Sequence, residues 1–292
     1  IYILNIYIMD SIFNSASNTS DFLNNNTFIS KITFLIIVLI AFILLYNIGY
    51  WIITYIYAPN KSPYIFYGLI EANTNKIYQQ QGKDSVPIYR SDNKYNGIEF
   101  TWSVWFYVDD PTINCGDSCL DRILFVKGSN GGTTDTGSSS SHYTNSNGPG
   151  VYLSSNPTSN SSNYTNSNSI QLDLKVLMDI YPYKTSTNDT KHKETITIEK
   201  IPIQKWVSLI IRSTSQNIVD IIINGSLIKR KKLQNIVKQN YSQINIGGTN
   251  SFDGFLSNLK YYNYSIGTFE VDNIVNAGPN LTPVDDSNLN KA

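Results

Sequence analysis

The sequence predicts an all-β protein, an antiparallel two-sheet sandwich that is preceded by one transmembrane α-helix and ends with a short helix. Three observations support this prediction. Roughly ten short apolar segments with the alternation of strands follow one another along the chain, and turn-forming residues separate them. A long uncharged apolar run lies near the N-terminus. Only one later stretch has a helical pattern, so the large C-terminal part is predicted to be almost entirely β.

The N-terminal anchor is the run from Ile32 to Ala58, which contains no charged side chain and lies between Lys31 and Lys61. As a helix it would be roughly 40 Å long, whereas the hydrocarbon core of a bilayer is roughly 30 Å thick. Its apolar residues occupy every side of the helix, which distinguishes it from a soluble amphipathic helix. Its length also disfavours the alternative, a buried core helix. No small-residue cleavage site is evident, so we expect an uncleaved anchor.

The rest of the chain divides by composition. Residues 1–31 form a short polar N-terminal segment in which Met9 is a possible true start. Residues 59–96 form a membrane-proximal segment with short strands, residues 97–280 form the sandwich, and residues 281–292 form a polar tail. One lysine on each side of the anchor does not decide its orientation by the positive-inside rule.

The clearest strand is EFTWSVWFYV, from Glu99 to Val108. Its side chains alternate between the two faces of the strand. The larger set of apolar side chains is predicted to lie on one face, and Trp105 and Tyr107 are predicted to lie on the opposite face. A shift by one residue would exchange the two faces, which specifies the register strongly. The strongest hairpin signal is Asn224-Gly225, because a type I′ turn needs positive φ at both positions.

Smaller elements complete the prediction. Short strands are expected at Tyr64–Ala72 and Val86–Arg90. The polar stretch 129–169 buries too little apolar surface to offset the entropy of ordering it, so we interpret it as long loops around a short strand. A short helix is expected at Thr268–Ala277, with Thr268 as its N-cap.

The totals exclude some classes of protein. The formal net charge is zero and charged residues make up 15% of the chain, so no global field attracts nucleic acid. Two cysteines are too few for a disulfide-built scaffold, and the fold must depend on apolar burial. Cys115 and Cys119, in CGDSC, are close enough in sequence for a small-loop disulfide, with two free thiols as the alternative.

The order of the motifs resembles that of the concanavalin A-like, or laminin G-like, jelly-roll family. The resemblance covers roughly residues 97–280 and rests on EFTWSVWFYV, RILFVKG, IPIQKWVSLIIRS, VDIIINGSLIKR and DGFLSNLKYYNYSIGTFEVDNIVNAGPN. With the anchor, RSDNKYNGIEFTWSVWFYV and LKYYNYSIGTFEVDNIVNAGPN resemble membrane-anchored laminin G-like proteins encoded by giant nucleocytoplasmic large DNA viruses. The resemblance implies a jelly-roll sandwich.

The resemblance also implies a function. The chain would be a non-enzymatic structural protein, a minor capsid or virion membrane protein that links the internal membrane to coat proteins. Its partners would be the lipid bilayer and neighbouring capsid or membrane proteins, and its large C-terminal domain would lie on the capsid-facing or exterior side. The alternative is a membrane-anchored lectin or host-receptor-binding protein that binds glycans, with Trp105 and Tyr107 as stacking platforms.

A glycoside hydrolase is a remote alternative, because related sandwiches include glucanases with two Glu at alternating positions of one strand. The nearest candidate here, QLDLK, carries only Asp173, and Glu99 stands alone in its strand. His142 and His192 lie far apart in polar sequence, so a catalytic triad or a zinc site has little support. We therefore predict no enzymatic activity.

Two further features have alternative interpretations. Laminin G-like domains often bind calcium at a loop edge, and Asn250 with Asp253 are weak candidate ligands, although a turn-forming role is favoured and no cofactor is predicted. The only basic run could contact lipid headgroups, sulfated glycans or an acidic protein, or could form a charged edge strand that discourages aggregation, which is favoured. This run comprises Lys229, Arg230, Lys231 and Lys232.

Overall fold

The chain forms two compact units, Ile1–Ala58 and Pro59–Ala292. The first contains a helix and the second contains two β-sheets. The computed structural model describes residues 28–57, 60–74, 76–78, 85–95, 97–110, 121–128, 146–157, 170–186, 189–247 and 251–284.

Helix α1 spans Phe28–Tyr57, 30 residues with exposed apolar side chains on every side. It begins four residues before the predicted start at Ile32, because Phe28 and Ile29 extend the apolar helix past Lys31. Among the described residues it is the one helix whose length and composition would allow it to cross a membrane.

Three polar side chains within α1 donate hydrogen bonds to the backbone of the same helix. Thr33, Asn47 and Thr54 each donate a hydrogen bond to the carbonyl four residues earlier, at 2.9, 2.7 and 2.8 Å. An apolar environment penalises polar groups that lack a partner. These three side chains are therefore compatible with hydrocarbon surroundings.

The second unit is a sandwich of two antiparallel sheets, which confirms the predicted fold class. The first sheet has the order β1-β13-β4-β9-β10-β11, with β3 also paired to β4, and the second has the order β2-β12-β5-β6-β7-β8. The strands are β1 Tyr64–Glu71, β2 Lys76–Tyr78, β3 Asp92–Lys94, β4 Gly97–Asp110, β5 Arg122–Lys127, β6 Gly150–Pro157, β7 Ile170–Ser186, β8 Asp189–Ile198, β9 Val207–Thr214, β10 Ile218–Ile223, β11 Ser226–Lys232, β12 Ile244–Ile246 and β13 Asp253–Tyr262.

The segment 59–96 contributes to both sheets. Strand β1 pairs with β13, with Ile70 opposite Leu256, and β2 pairs with β12. The strand expected at Val86–Arg90 does not form. Residues 59–96, which composition separated from the sandwich, therefore supply an edge strand to each sheet, β1 to the first and β2 to the second.

The core lies between the sheets, and the alternation of β4 directs one set of its side chains into it. Trp102 is 1% exposed, and its ring centroid lies 4.9 Å from that of Tyr261 on β13. Across the sandwich, the ring of Phe125 on β5 lies 5.6 Å from the Trp102 ring. The predicted register of β4 is therefore confirmed, and one tryptophan joins three strands from both sheets.

The outer edge of β1 is covered by the C-terminal segment of the chain. The Leu69 N–H donates to the carbonyl of Thr282 at 2.7 Å, and the Val284 N–H donates to the carbonyl of Leu69 at 3.0 Å. An uncovered strand edge would offer these groups to another chain. The C-terminal segment thus satisfies this part of the edge within the molecule.

The second helix, α2, spans Thr268–Ala277 as predicted, but its N-cap is Gly267 rather than Thr268. The Gly267 N–H donates to the Glu270 carboxylate at 2.7 Å, which also accepts a hydrogen bond from the Tyr264 hydroxyl at 3.0 Å. The side chain of Glu270 therefore fixes the start of the helix in place of a Thr268 hydroxyl. Val271 of α2 packs against buried apolar residues on the outer face of the first sheet.

We expect the full chain to enter the detergent phase in a temperature-induced phase separation with a non-ionic detergent, because α1 exposes apolar side chains all round. Deletion of residues 28–57 should move the protein to the aqueous phase, since the residues of the main core cluster all lie beyond residue 64. A full chain that is freely water-soluble and monomeric without detergent would contradict the assignment of α1 as an anchor.

Candidate functional site

The outer face of the first sheet carries three adjacent aromatic rings, here called the aromatic row: Tyr107, Trp206 and Phe255. Tyr107 and Phe255 lie opposite each other on β4 and β13, and Trp206 comes directly before β9. The Tyr107 ring centroid lies 5.7 Å from that of Trp206 and 6.4 Å from that of Phe255. All three side chains are partly exposed. The row therefore offers solvent a continuous aromatic surface.

Trp105 lies on the same face as Tyr107 but is 8% exposed. Its neighbour on β13 is Ser257, whose hydroxyl donates to the Asn280 carbonyl at 2.8 Å and accepts from the Asn280 N–H at 2.9 Å. The C-terminal segment therefore crosses the sheet at the level of Trp105. Trp105 therefore offers no open face to a sugar ring. Of the two residues predicted to stack on a glycan, only Tyr107 is partly exposed.

Polar groups lie at the ends of the strands that carry the aromatic row. Asp109 follows Tyr107 by two residues, and Asp110 lies opposite Asp253 on β13, with all three carboxylates exposed. The exposed Gln204 donates its backbone N–H to the carbonyl of Val108 at 2.9 Å, which holds the segment before Trp206 against β4. Hydrogen-bonding groups are thus available beside the aromatic surface.

A second feature of this face is a buried carboxylate between two arginines. Asp220 on β10 is fully buried, and it accepts hydrogen bonds from Arg212 on β9 at 2.7 Å and from Arg230 on β11 at 2.7 and 3.0 Å. Burial alone would raise the pKa of the Asp220 carboxyl, but the hydrogen bonds and charges of Arg230 and Arg212 more than offset it and hold that pKa below its usual value. The charged triad joins three strands and leaves Asp220 ionised at neutral pH.

Arg212 also fixes the chain that leads into α2. Its second terminal nitrogen donates to the carbonyl of Ile266 at 2.9 Å. One strand further in, the Thr101 hydroxyl donates to the carbonyl of Tyr264 at 2.9 Å and accepts from the Ile266 N–H at 3.2 Å. The polar row across the sheet therefore positions the helix that covers part of its outer face.

The basic run lies on β11, the edge strand of the first sheet, and its side chains alternate. Arg230 turns to Asp220, whereas Lys229 and Lys231 donate to the carbonyls of Thr197 and Thr195 on β8, at 2.7 and 3.0 Å. Strand β8 is the edge strand of the other sheet. The two lysines therefore bridge the sheets along one open side of the sandwich.

The carboxylates considered for catalysis make structural hydrogen bonds. Asp173 is 4% exposed and accepts from the Gln171 side chain at 3.0 Å and from the Lys200 N–H at 3.2 Å. Glu99 accepts from the Ser215 N–H at 3.3 Å. The two carboxylates lie on different sheets, Asp173 on β7 and Glu99 on β4, and not at alternating positions of one strand.

Most of the remaining residues that were considered for a disulfide, a metal site or a catalytic triad lie outside the part of the chain that the structure describes. His192 lies on β8 and is exposed. Cys115, Cys119, His142 and Asn250 lie outside the described residues, so the disulfide and the calcium site at Asn250 and Asp253 stay predictions. Among the residues that the structure describes, no three His, Cys, Asp or Glu side chains form a group suited to a metal ion.

The structure also contains a buried lysine that the sequence did not indicate. Lys127, at the end of β5, is 2% exposed, and its ammonium group donates to the carbonyl of Ser242. Burial lowers the pKa of Lys127 to about 7, because the charged form loses its hydration. In the sequence this lysine simply ends an apolar strand, and only the packing around it reveals the shift.

Comparisons with known proteins give similarity at the level of structure only. No family model matches the chain, and no curated protein matches it. Solved structures that resemble it include the receptor-binding domain of botulinum neurotoxin D, with 9% identity and a TM-score of 0.43 over 72% of this chain and 44% of that one. The binding domain of serotype G has 15% identity and a TM-score of 0.40 over 74% and 46%.

A third neighbour is the ligand-binding domain of serotype D in complex with N-acetylneuraminic acid, with 9% identity and a TM-score of 0.43 over 72% of this chain and 42% of that one. The chain thus spans less than half the length of each of these domains. With identities this low and TM-scores below 0.5, the likenesses do not bear on what this chain binds. The laminin G-like family and the viral origin stay predictions from sequence resemblance.

We expect Asp220→Asn to lower the free energy of unfolding by about 3 kcal/mol at neutral pH, because it leaves two arginines without their carboxylate. The matched control is Asp92→Asn, which breaks the exposed pair with Lys94 and should cost far less, because solvent screens exposed charges. Denaturant unfolding monitored by tryptophan fluorescence measures both.

The difference between wild type and Asp220→Asn should depend on pH. Because the folded-state pKa of Asp220 is depressed, its stabilisation is complete above the unfolded pKa of about 4 and is lost as the pH falls through the folded pKa. A difference that stays constant from pH 7 to pH 2 would contradict an ionised Asp220.

Proposed function

We propose that the protein is a non-enzymatic, membrane-anchored binding protein whose sandwich holds carbohydrate on the aromatic row. The single observation that carries this proposal is the row itself, three partly exposed rings on neighbouring strands. Sugar rings present C–H groups that pack on aromatic faces, and a packed sandwich holds such faces in fixed positions. Helix α1 would keep this surface at a membrane.

The surroundings of the aromatic row support a carbohydrate rather than a purely apolar ligand. The exposed carboxylates of Asp109 and Asp253 and the exposed amide of Gln204 lie at the ends of the same strands or in the adjoining segment. The hydroxyl groups of a sugar lose hydrogen bonds to water when the sugar binds, and such donors and acceptors replace those hydrogen bonds. An aromatic platform bordered by short polar side chains meets both requirements.

A structural role in a virion is the second candidate, as the sequence resemblance implies. The observation that favours it is the coverage of two sandwich edges: the C-terminal segment lies along β1, and two lysines of β11 bond the carbonyls of β8. Uncovered strand edges pair with neighbouring molecules, so covered edges suit a protein that is packed densely on a membrane without aggregating. In this role the anchored sandwich would join an internal membrane to coat proteins.

Binding to a glycan array by the full chain in nanodiscs tests the first candidate. We expect Trp206→Ala to weaken binding of a selected glycan by about tenfold, or ~1.4 kcal/mol, because it removes one ring of the row. Tyr181→Ala, which removes an exposed ring from β7 of the other sheet, should leave binding unchanged. An equal loss in both variants, or no binding to any glycan, would overturn the proposal.

Localisation tests the second candidate. If the protein is a virion component, an antibody to the sandwich should label sectioned particles between membrane and shell and should not label intact particles. Mild detergent should leave the protein with the membrane and shell fractions, because α1 and the sandwich hold different layers. Labelling at the surface of intact particles would instead favour the receptor-binding alternative.

A further inference from the structure

The hairpin formed by β10 and β11 exposes two consecutive large apolar side chains. Leu227 and Ile228 are 49% and 52% exposed, directly after the turn at Asn224-Gly225. The turn has φ values of 50° and 81°, as the predicted type I′ hairpin requires. About half of each of these apolar side chains is therefore open to solvent.

A β-bulge lies at this exposed pair. Ile221 pairs with Lys229 and Ile222 pairs with Leu227, so Ile228 is an extra residue without a counterpart on β10. In a regular strand, consecutive side chains point to opposite faces, whereas a bulge redirects one of them. The bulge therefore interrupts the regular alternation of β11 where its two exposed apolar side chains lie.

Cations follow this apolar tip along β11 and exceed the carboxylates that pair with them. The basic run Lys229–Lys232 and Arg212 supply five positive charges, and Asp220 and Glu194 are the carboxylates that form ion pairs with them. The cluster has a net charge of +3 in a chain whose formal net charge is zero. Lys229 lies closest to the tip, opposite Ile221, and Lys232 lies at the far end of the hairpin, opposite Ile218. The positive charge thus extends along the edge strand of the hairpin from a point beside the tip.

We propose that the β10–β11 hairpin docks on the surface of a bilayer that contains anionic lipids. Apolar side chains at its tip would enter the headgroup region, and the neighbouring cations would pair with lipid phosphates and carboxylates. A sulfated glycan would satisfy the cations but would leave Leu227 and Ile228 in water. The combination of an apolar pair with a basic flank therefore favours a lipid surface.

This inference rests on the proposed function in one respect, because it needs α1 as the anchor. A few cations and two apolar side chains bind a membrane only weakly by themselves. A helix in the same chain raises the local concentration of headgroups around the sandwich, so a weak surface can act within one molecule. Docking would then fix which end of the sandwich faces the membrane.

The two ends of β10 provide a probe and its control. Asn224 follows β10, whereas Asn217 precedes it and its side chain lies close to Gly97, two residues after Tyr95. The six residues of β10 separate these ends by about 20 Å. Ser226 at the tip and the fully exposed Tyr95 at the far end are therefore matched sites for a fluorophore.

The experiment uses the full chain in nanodiscs, with Cys115→Ser and Cys119→Ser and a single labelled cysteine at Ser226→Cys or Tyr95→Cys. Lipids with a nitroxide headgroup quench nearby labels. In phosphatidylcholine mixed with phosphatidylserine, we expect quenching at position 226 and not at position 95. Phosphatidylcholine alone or high salt should abolish most of the quenching, because docking depends on screened charges.

Two variants separate the contributions of charge and apolar contact. Lys229→Glu, two residues after Leu227, should lower the docking equilibrium at position 226 by about tenfold, whereas Lys94→Glu at the far end should not change it. The double variant Leu227→Ser with Ile228→Ser should lower it as well, without loss of the fold, since both side chains are about half exposed.

The outcomes separate this inference from the proposed function. Equal quenching at both positions, no quenching at position 226, or an equal effect of Lys229→Glu and Lys94→Glu overturns the docking proposal while leaving the anchor intact. A chain that does not enter the nanodisc contradicts the anchor and, with it, the docking. Glycan binding by Trp206 is measured independently and can succeed or fail in either case.

Discussion

The two faces of β4 set the constraint on which the rest of the sandwich depends. Its fourteen residues place Trp102 and Phe106 in the core and Trp105 and Tyr107 on the outer face. The strand lies at the centre of the first sheet, between β13 and β9, so its register fixes what both neighbours present on each side. A shift by one residue would place the outer aromatic residues inside and remove both the core and the candidate site.

The outer face is divided between parts that the chain covers and parts that it leaves open. Helix α2 and the segment after it cover the middle of the sheet, where Trp105 is buried and Ser257 binds Asn280. The charged triad around Asp220 and the hydroxyl of Thr101 hold the chain that leads into this cover. What stays open is the aromatic row at one end of the sheet. The same polar bonds that stabilise the cover therefore delimit the surface available to a ligand.

The sequence predicted the features that arise from local periodicity and failed where distant segments meet. The alternation of β4, the Asn224-Gly225 turn and helix α2 follow from residues within a few positions of each other. By contrast, Trp105 looked like a surface aromatic because its cover comes from the distant Asn280 segment. Trp206 was not singled out because its proximity to Tyr107 depends on strand pairing, which a single sequence does not show.

The charged residues show the same difference between features of local sequence and contacts between distant segments. Alternation along a strand did not guarantee a single basic patch, and the side chain of Arg230 points away from those of Lys229 and Lys231. The sequence could not show that Asp220 lies buried between two arginines, since Arg212 comes from another strand. The low pKa of Lys127 likewise depends on burial rather than on its neighbours in sequence. Burial by residues distant in sequence, more than residue type, therefore decides which charged groups have shifted pKa values.

The aromatic row and the hairpin tip lie at the same end of the first sheet, which links the two proposed surfaces. Ser208, two residues after Trp206, donates its N–H to the Asn224 side chain at 2.9 Å, and the Asn224 N–H donates to the carbonyl of Ser208 at 3.0 Å. These paired bonds join the start of β9 to the hairpin turn. A closely packed sheet does not bend between adjacent strands. If the hairpin docks on a bilayer, the aromatic row is therefore held close to the same bilayer surface. The ligands that reach Trp206 would then be those held close to the same membrane.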